Sequence, residues 1–184
     1  MNLKKLVTAA VCTMLMAAVA FTAGCGGEKK SDKKVLKVGM ECAYAPYNWS
    51  QTKADGGAVK IAGSNEYAYG YDVMMAKKLA DSMGADLEIH KIEWDGLAPA
   101  VVSGKIDAAI AGMSITSKRK ETVDFTKPYY YATVVALVKK DSEQAKAQSV
   151  ADLKGSVATS QLNTIWYDQI DQVPDVKKLP AIDT

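Results

Sequence analysis

The sequence has few side chains that bind metals or form disulfide bonds: its 184 residues include one histidine and three cysteines. Zinc and iron sites use clusters of such side chains, so this composition argues against a metal centre. Cys12 lies in an apolar N-terminal run and Cys25 directly follows that run, which leaves Cys42 as the one thiol beyond it. We therefore predict no internal disulfide bond and a fold that depends on an apolar core.

The sequence also lacks an excess of basic charge. Its 23 basic residues include Lys4 and Lys5, and the 21 that remain equal the 21 acidic residues in number. A nucleic-acid-binding protein would show a basic excess, so we expect no nucleic-acid partner. The sequence contains no glycine-rich phosphate-binding loop and no nucleophile elbow, and we expect neither a cofactor nor catalysis.

The N-terminus has the pattern of an exported lipoprotein. Two lysines precede an apolar run over 6–24, and small residues lead directly into Cys25. This order is typical of a secretory signal, and it resembles the lipobox of bacterial lipoproteins, except that Thr22 replaces the usual Leu. We predict a signal peptide over 1–24, a lipid-modified Cys25 and a flexible polar tether over 25–34. A transmembrane anchor is the alternative.

Beyond the tether, predicted strands alternate with predicted helices. Asp72 is the predicted N-cap of the longest helix and Gly84 its stop. The apolar face of that helix consists of Val73, Ala76, Leu79, Ala80 and Met83. The predicted strands cover 35–39, 87–90, 106–111 and 131–139, and the predicted helices cover 72–83 and 97–102, with another starting over 117–121. Residues 41–49 predict an aromatic loop and 50–66 a surface hairpin. This alternation is typical of an α/β fold with a mainly parallel sheet.

The character of the chain changes after residue 139. A polar link is followed by a short predicted helix over 150–155, a strand over 156–159, a helix capped by Asn163 or Thr164, and a strand near 176–179. About 45 residues are too few for a separate core. We interpret this segment as the start of a second α/β unit.

Parallel sheets place ligands beyond the carboxyl ends of their strands. Polar and aromatic side chains occur in three loops that follow predicted strands: Glu41, Tyr44 and Tyr47 in the first, Trp94 and Asp95 in the second, and Ser114, Thr116 and Arg119 in the third. We therefore expect these three loops to form the functional site.

Several motifs occur in collinear order between about residues 35 and 164. They are Tyr44-Ala45-Pro46-Tyr47, Gly70-Tyr71-Asp72-Val73, Lys105-Ile106-Asp107-Ala108 and Ala111-Gly112-Met113-Ser114-Ile115-Thr116-Ser117-Lys118-Arg119. As a set they resemble the polar amino-acid-binding proteins of bacterial ABC importers, the solute-binding protein family 3. The family usually has a second acid where this sequence has Met74.

The resemblance implies a two-lobe periplasmic-binding-protein fold of type II, in which the first lobe covers 35–139. The second lobe begins with 140–184 and is incomplete, so we expect the chain to be a fragment. The resemblance further implies a monomer that is anchored by lipid to the outer face of the cell membrane. Its partners would be a free amino acid and an ABC permease.

The resemblance also implies which residues bind the ligand. Arg119 would bind the ligand carboxylate through two parallel hydrogen bonds. Ser114 would donate to the same carboxylate, and Gly112 would offer its carbonyl oxygen to the ammonium group. At a helix start in the second lobe, Asn163 and Thr164 would add N–H groups. The residues alone leave open that Arg119 is a surface helix residue and that Gly112 is a turn at a strand end.

Glu41 would select the ligand side chain. A carboxylate that faces a closed cleft favours arginine or lysine, whereas glutamine and cystine are the next candidates, and a solvated loop acid is the alternative interpretation. Tyr44 and Trp94 would cover the aliphatic stem of the ligand or stack on a guanidinium, unless they are ordinary core aromatics.

Two other functions occur within the same fold family. Some members are dehydratases that act on carboxylated rings, and Glu41 in an apolar cleft could then serve as a general acid. The other function is a ligand-sensing domain of a signalling receptor. Lipid tethering and the polar amino-acid motifs argue against the dehydratase, whereas a sensing domain would require a following transmembrane helix.

Overall fold

The computed structural model describes residues 33–183. The predicted signal peptide over 1–24, the predicted lipidation site Cys25 and nearly all of the predicted tether lie outside the described residues. Between residues 33 and 183, no helix has both the length and the apolar character needed to cross a membrane.

A three-stranded parallel sheet forms the centre of the fold. It consists of β1 (Val35–Met40), β6 (Asp86–Lys91) and β7 (Ala108–Ala109), in the order β6-β1-β7. The predicted mainly parallel sheet is therefore confirmed. The third strand is shorter than the predicted 106–111, because the N–H groups of residues 105 and 106 donate to the carbonyl oxygen of Ala100 at the end of the preceding helix.

A second, antiparallel sheet lies in the stretch predicted as a loop and a hairpin. Its strands are β2 (Ala43–Tyr44), β3 (Asn48–Gln51), β4 (Val59–Lys60) and β5 (Tyr67–Tyr69), in the order β2-β3-β5-β4. The hairpin prediction for 50–66 is thus partly confirmed. The predicted loop over 41–49 contains β2 and the start of β3, which no periodicity in so short a segment could indicate.

The longest helix within residues 33–183, α1 (Tyr71–Met83), begins after Gly70. The N–H groups of its first two residues donate to the carbonyl oxygens of Pro46 and Tyr47 at 3.2 and 2.8 Å. Because the preceding loop satisfies these donors, the helix start needs no side-chain cap. Gly84 ends the helix in the left-handed conformation, with φ of 62°, as predicted.

The prediction that Asp72 caps α1 is wrong. Asp72 lies within the first turn, is fully buried, and accepts hydrogen bonds from Asn48 and Tyr129. The apolar face of α1 is also narrower than predicted, since Leu79 and Met83 are 39% and 54% exposed. The buried face of the helix consists of Asp72, Val73, Ala76 and Ala80.

The core lies between the parallel sheet and the elements that cover it. The fully buried apolar side chains include Val38, Met40, Ile61, Val73, Ile89, Leu97 and Ile106. The short helix α2 (Leu97–Val102) matches its prediction and follows a single 3-10 turn, Trp94–Gly96. This core holds β1 rigidly, so the residues that follow its carboxyl end have a fixed starting point.

The helix α3 (Ser117–Lys120) follows β7, after which residues 121–139 contain neither helix nor strand. The prediction of a strand over 131–139 is therefore wrong. Tyr131, Val135 and Leu137 are 82%, 81% and 100% exposed. A strand requires a neighbour to pair with its backbone, and no described strand pairs with this segment.

The last part of the described chain matches its predicted order of elements. Two 3-10 helices, Glu143–Lys146 and Val150–Leu153, precede β8 (Val157–Ala158), α4 (Ile165–Gln169), the 3-10 helix Ile170–Gln172 and β9 (Lys177–Lys178). β8 and β9 pair in parallel. Of the two predicted caps, Thr164 caps α4.

Candidate functional site

The candidate site lies at the carboxyl ends of β1 and β7, where parallel sheets place ligands. Glu41 directly follows β1, and Gly112 and Ser114 follow β7. The cleft is lined by Glu41, Tyr44, Trp94, Ala111, Gly112, Ser114, Arg119, Gln161, Thr164, Ile165 and Trp166. Seven of the eight residues predicted to bind a ligand line this one cleft; the eighth, Asn163, contacts it through its backbone. The cavity volume is about 20 Å³, which is about the room that one water molecule needs.

Arg119 lies in α3, a helix whose start is fixed by Thr116. The Thr116 hydroxyl oxygen accepts a hydrogen bond from the N–H of Arg119 at 3.1 Å. The guanidinium then turns into the cleft, where its Nη1 donates to the carbonyl oxygen of Ser114 at 2.7 Å. It also lies over the ring of Trp94, 5.3 Å from the ring centroid, a cation–π geometry.

Partial burial lowers the pKa of the Arg119 guanidinium, and the negative charge of Asp168 opposes this change. A guanidinium is so strongly basic that it stays protonated even so. The cleft therefore contains a permanent positive charge that is partly shielded from water.

Asn163 faces Arg119 from the opposite wall of the cleft. Its carbonyl oxygen accepts hydrogen bonds from Nη2 of Arg119 at 2.9 Å and from Nε1 of Trp94 at 3.2 Å. Its side-chain Nδ2 donates to Asp95 at 2.8 Å, and its φ of 55° is left-handed. The structure thus presents the carbonyl oxygen of Asn163 to the cation.

Glu41 supplies a negative charge to the same cleft. It is 9% exposed, and its Oε1 accepts a hydrogen bond from Nε2 of Gln161 at 3.2 Å. Sequence reasoning did not single out Gln161. The signal that could have found it is its position directly before the predicted helix cap, in the segment that starts the second α/β unit.

Thr164 is 3% exposed and holds the loop before α4 in place. Its hydroxyl donates to the carbonyl oxygen of Gln161 at 2.8 Å and accepts from the N–H of Tyr167 at 3.2 Å. Both bonds are local, so the hydroxyl fixes the turn that carries Gln161 towards Glu41.

Aromatic rings form the apolar part of the cleft. Tyr44 stacks on Tyr47 with 5.0 Å between ring centroids, and Trp166 lies 6.2 Å from Tyr44. Burial, and then the charge of Asp72, raises the pKa of the Tyr44 hydroxyl. Trp166 was missed by sequence reasoning, although it lies only two residues after the predicted cap Thr164.

Gly112 forms a tight turn after β7. Its φ of 64° is left-handed, which glycine adopts without strain. A Cβ at this position would lie 3.5 Å from the Tyr44 ring, an ordinary contact, so conformation and not crowding favours glycine here. The N–H of Gly112 donates to the hydroxyl of Tyr129 at 3.0 Å.

Cys42 follows Glu41 on the turn after β1. Its side chain is 2% exposed, and burial raises the pKa of its thiol to about 11. Its φ of 56° is left-handed, a conformation that side chains other than glycine rarely adopt. This turn directs the neighbouring Glu41 carboxylate into the cleft.

Comparisons with known proteins show the family of the chain. The sequence profile of the bacterial extracellular solute-binding proteins, family 3, matches residues 36–178. An arginine-binding extracellular protein of Bacillus subtilis is 33% identical over 140 residues, or 76% of this chain and 49% of that protein. An ABC transporter arginine-binding protein of Escherichia coli is 32% identical over 176 residues, or 95% of this chain and 61% of that protein. An L-cystine-binding protein of Escherichia coli is 29% identical over 144 residues, or 78% and 49%.

Solved structures of amino-acid-binding proteins also resemble this chain. An ancestral arginine-binding protein bound to arginine has a TM-score of 0.62 and 33% identity, and the match covers 80% of this chain and 61% of that one. An ancestral amino-acid-binding protein described as a precursor of cyclohexadienyl dehydratase has a TM-score of 0.64 and 33% identity, with 79% and 60% covered. The chain thus spans about half to three fifths of the length of these relatives.

Proposed function

The chain belongs to the bacterial extracellular solute-binding proteins of family 3, with the predicted α/β fold of the type II periplasmic-binding-protein class, and we propose that it captures a polar amino acid for import by an ABC transporter. The relatives described above that are named for a ligand are arginine-binding and cystine-binding proteins. Their names support the ligand class and the transporter as a partner.

The observation that carries the proposal is the pair of opposite charges in one small cleft. A free amino acid carries a carboxylate and an ammonium group, and an arginine adds a guanidinium. Arg119 matches the carboxylate through its planar, two-point donor geometry. The Gly112 carbonyl oxygen and the Ser114 N–H and hydroxyl are the remaining polar groups that we assign to the backbone of the ligand.

We propose arginine or lysine as the preferred ligand, with glutamine and cystine as the next candidates. Support comes from the burial of Glu41, because a carboxylate in a poorly solvated site strongly favours a cationic partner. Gln161 donates an N–H to Glu41 at 3.2 Å. A guanidinium or ammonium group of the ligand would take over that contact.

Tyr44, Trp94 and Trp166 would cover the aliphatic part of such a ligand. The rings of Tyr44 and Trp166 lie 6.2 Å apart, and Trp94 already supports a guanidinium, that of Arg119. Asn163 and Thr164 would act from the facing wall, where the carbonyl oxygen of Asn163 contacts Arg119 and Thr164 lines the cleft.

Binding requires the two walls to separate and close again. The cavity between Arg119 and Glu41 measures about 20 Å³, and the bonds from Arg119 to Asn163 and from Gln161 to Glu41 join the walls directly. A ligand that replaces both contacts favours a closed state with the ligand inside. Closure is then the signal that the permease recognises.

We further propose that Cys25 carries the lipid anchor, that 25–34 serve as a tether, and that 35–139 and 140–184 belong to the first and second lobes. The basic, apolar and small-residue order before Cys25 supports the anchor. In this arrangement a monomeric binding protein stays at the outer face of the membrane, next to its permease.

A dehydratase is the second candidate, favoured by two observations. A structural relative is described as a precursor of cyclohexadienyl dehydratase, and Glu41 is a buried acid in the cleft. The chemistry of an acid-catalysed elimination would require Glu41 to protonate a leaving hydroxyl. We favour binding without turnover, because the curated relatives described above are binding proteins.

Thermal-shift titration with the twenty amino acids and cystine tests the proposal. A ligand that binds only the folded state stabilises it by about 2.7 kcal/mol at a hundredfold excess over its Kd. We expect a rise in Tm with arginine or lysine. A rise with glutamine or cystine alone would retain the class and remove the role of Glu41. The absence of any shift, or release of water from a carboxylated ring substrate, would refute the binding proposal.

A further inference from the structure

Asp72 is a buried acid that plays no part in the ligand chemistry proposed above. It lies in the first turn of α1 and has no exposed surface. Burying a charged group is costly unless hydrogen bonds compensate for the lost water. Its partners therefore indicate what the residue does.

Two side chains donate to its carboxylate. Asn48 donates from Nδ2 to Oδ2 at 2.7 Å, and the Tyr129 hydroxyl donates to Oδ1 at 2.8 Å. Asn48 is itself fully buried. These short bonds are typical of a charged acceptor.

Each donor also holds a backbone amide of a loop that lines the cleft. Oδ1 of Asn48 accepts from the N–H of Cys42 at 2.8 Å, next to Glu41. The Tyr129 hydroxyl oxygen accepts from the N–H of Gly112 at 3.0 Å, in the loop that leads to Ser114. Asp72 is thus connected to both loops through one intermediate on each side.

The two residues whose amides are held share an unusual backbone conformation. Cys42 has φ of 56° and Gly112 has φ of 64°. The left-handed region is unfavourable for a cysteine, and such residues persist when the surroundings hold them in place. The hydrogen bonds that the N–H groups of Cys42 and Gly112 donate to Asn48 and Tyr129 provide that restraint at the turns that orient the cleft groups.

From this arrangement we propose that Asp72 is a positioning residue for the cleft: through Asn48 and Tyr129 it fixes the turns at Cys42 and Gly112 relative to each other. Every bond in the network has its donor pointing towards the carboxylate. A carboxylate can only accept hydrogen bonds, so it can be the final acceptor of both branches at once. A neutral amide at this position would present a donor to one of the two branches.

The coupling of the two branches can be tested without any ligand. Tyr129→Phe removes one hydroxyl and keeps the ring, and amide hydrogen exchange by NMR reports on each turn in the full-length chain. We expect exchange to accelerate at least about tenfold at Gly112 and also at Cys42, whose own bond to Asn48 stays intact. The amides within β1 report global unfolding and should not change. Tyr131→Phe is the matched control, because Tyr131 is 82% exposed.

The second arm rests on the proposed function and measures ligand affinity by calorimetry, with arginine as the probe. If Asp72 positions the cleft, Tyr129→Phe and Asn48→Ala each weaken the Kd at least about tenfold, and the double variant is much less affected than the product of the two. Tyr131→Phe should bind as the wild type does.

Several results would overturn the inference. Faster exchange at Gly112 with unchanged exchange at Cys42 would show two independent hydrogen bonds. A Kd within about twofold of the wild type in Tyr129→Phe would show that the network holds the loops without positioning the cleft. If the wild type binds no amino acid, the proposed function fails, and the exchange result alone decides between a coupled and an uncoupled network.

Discussion

The guanidinium of Arg119 donates to the backbone carbonyl oxygen of Asn163 at 2.9 Å, across the cleft and across 44 residues of sequence. The same oxygen accepts from Trp94 at 3.2 Å. Under the proposed function, a carboxylate oxygen of the ligand would meet the same donors that the carbonyl oxygen of Asn163 meets. Such a ligand would compete with this carbonyl oxygen for Arg119 and Trp94.

Arg119→Ala should abolish most of the affinity for any amino acid. The variant loses the two donors proposed to bind the ligand carboxylate, and we expect Kd to rise about 100-fold or more, since truncating one partner of a buried charge pair costs roughly 2–5 kcal/mol. Isothermal titration with the best ligand measures this. Lys118→Ala removes an exposed positive charge from the same helix and serves as the control. Equal affinities for the two variants would contradict the role of Arg119.

Glu41→Gln should change which ligand binds. The substitution keeps the size of the side chain and removes its charge, so the Kd for arginine should rise at least about tenfold while that for glutamine stays within about threefold. Competition titrations with the two amino acids measure the ratio. Asp81→Asn removes an exposed acid on the far side of α1 and should leave the ratio unchanged. An unaltered preference in Glu41→Gln would show that the carboxylate does not contact the ligand side chain.

Gly70→Ala should destabilise the protein strongly. Gly70 has φ of 127°, and a Cβ there would collide with the carbonyl oxygen of Tyr47, which is held by the N–H of Asp72 at 2.8 Å. We expect a loss of about 3 kcal/mol in the free energy of unfolding. Gly63→Ala also introduces a side chain at positive φ, but into open space, and should cost about 1 kcal/mol. Urea denaturation separates the two, and similar losses would refute the collision.

Asp72 should make stability depend on pH in a specific direction. Burial raises the pKa of Asp72, although hydrogen bonds from Asn48 and Tyr129 oppose this. The carboxyl group of Asp72 therefore binds its proton more tightly in the folded state than in the unfolded state, where the pKa of an aspartate is about 3.9. The contribution of Asp72 to the free energy of unfolding is therefore fully present below the unfolded-state pKa, and it is lost as pH rises through the pKa of the folded state.

The matching experiment compares urea denaturation of the wild type and Asp72→Asn from pH 3.5 to 8. The free energy of unfolding of the wild type, relative to the variant, should fall as pH rises above about 4 and then level off. Every other carboxylate is common to both proteins, so the difference isolates Asp72. A difference that stays constant, or that grows with pH, would contradict the raised pKa.

Much of the fold could be predicted because local signals and tertiary structure agree. The strand at β1 and the helix at α2 matched their predictions, as did the glycine stop at Gly84. The segment over 131–139 has an equally clear strand pattern, but pattern alone cannot supply a pairing partner. The prediction that Asp72 caps α1 was wrong for a related reason. An acid near a helix start predicts a cap, but the contacts of Asp72 are with Asn48 and Tyr129, which are distant in sequence.

The position of the candidate site could be predicted from the sequence, but several of its contacts could not. Ligand sites in parallel sheets follow the strand ends, so Glu41, Gly112 and Arg119 converged as expected. Gln161 and Trp166 were missed because they reach the cleft from a unit far along the chain, and contacts across 120 residues leave no local signature. The carbonyl contact of Asn163 is a property of the backbone, which side-chain identity does not reveal.

The burial of Cys42 also makes the protein suitable for site-specific fluorescent labelling. With the pKa of its thiol raised to about 11, almost none of it is the reactive thiolate at neutral pH. In a chain that begins after Cys25, maleimide dyes would leave this residue untouched. A cysteine introduced at the exposed Gln169, in the helix behind Trp166, would then be the single labelled position. The emission of the attached dye would then report the opening and closing of the cleft in real time, and the native thiol would not have to be replaced.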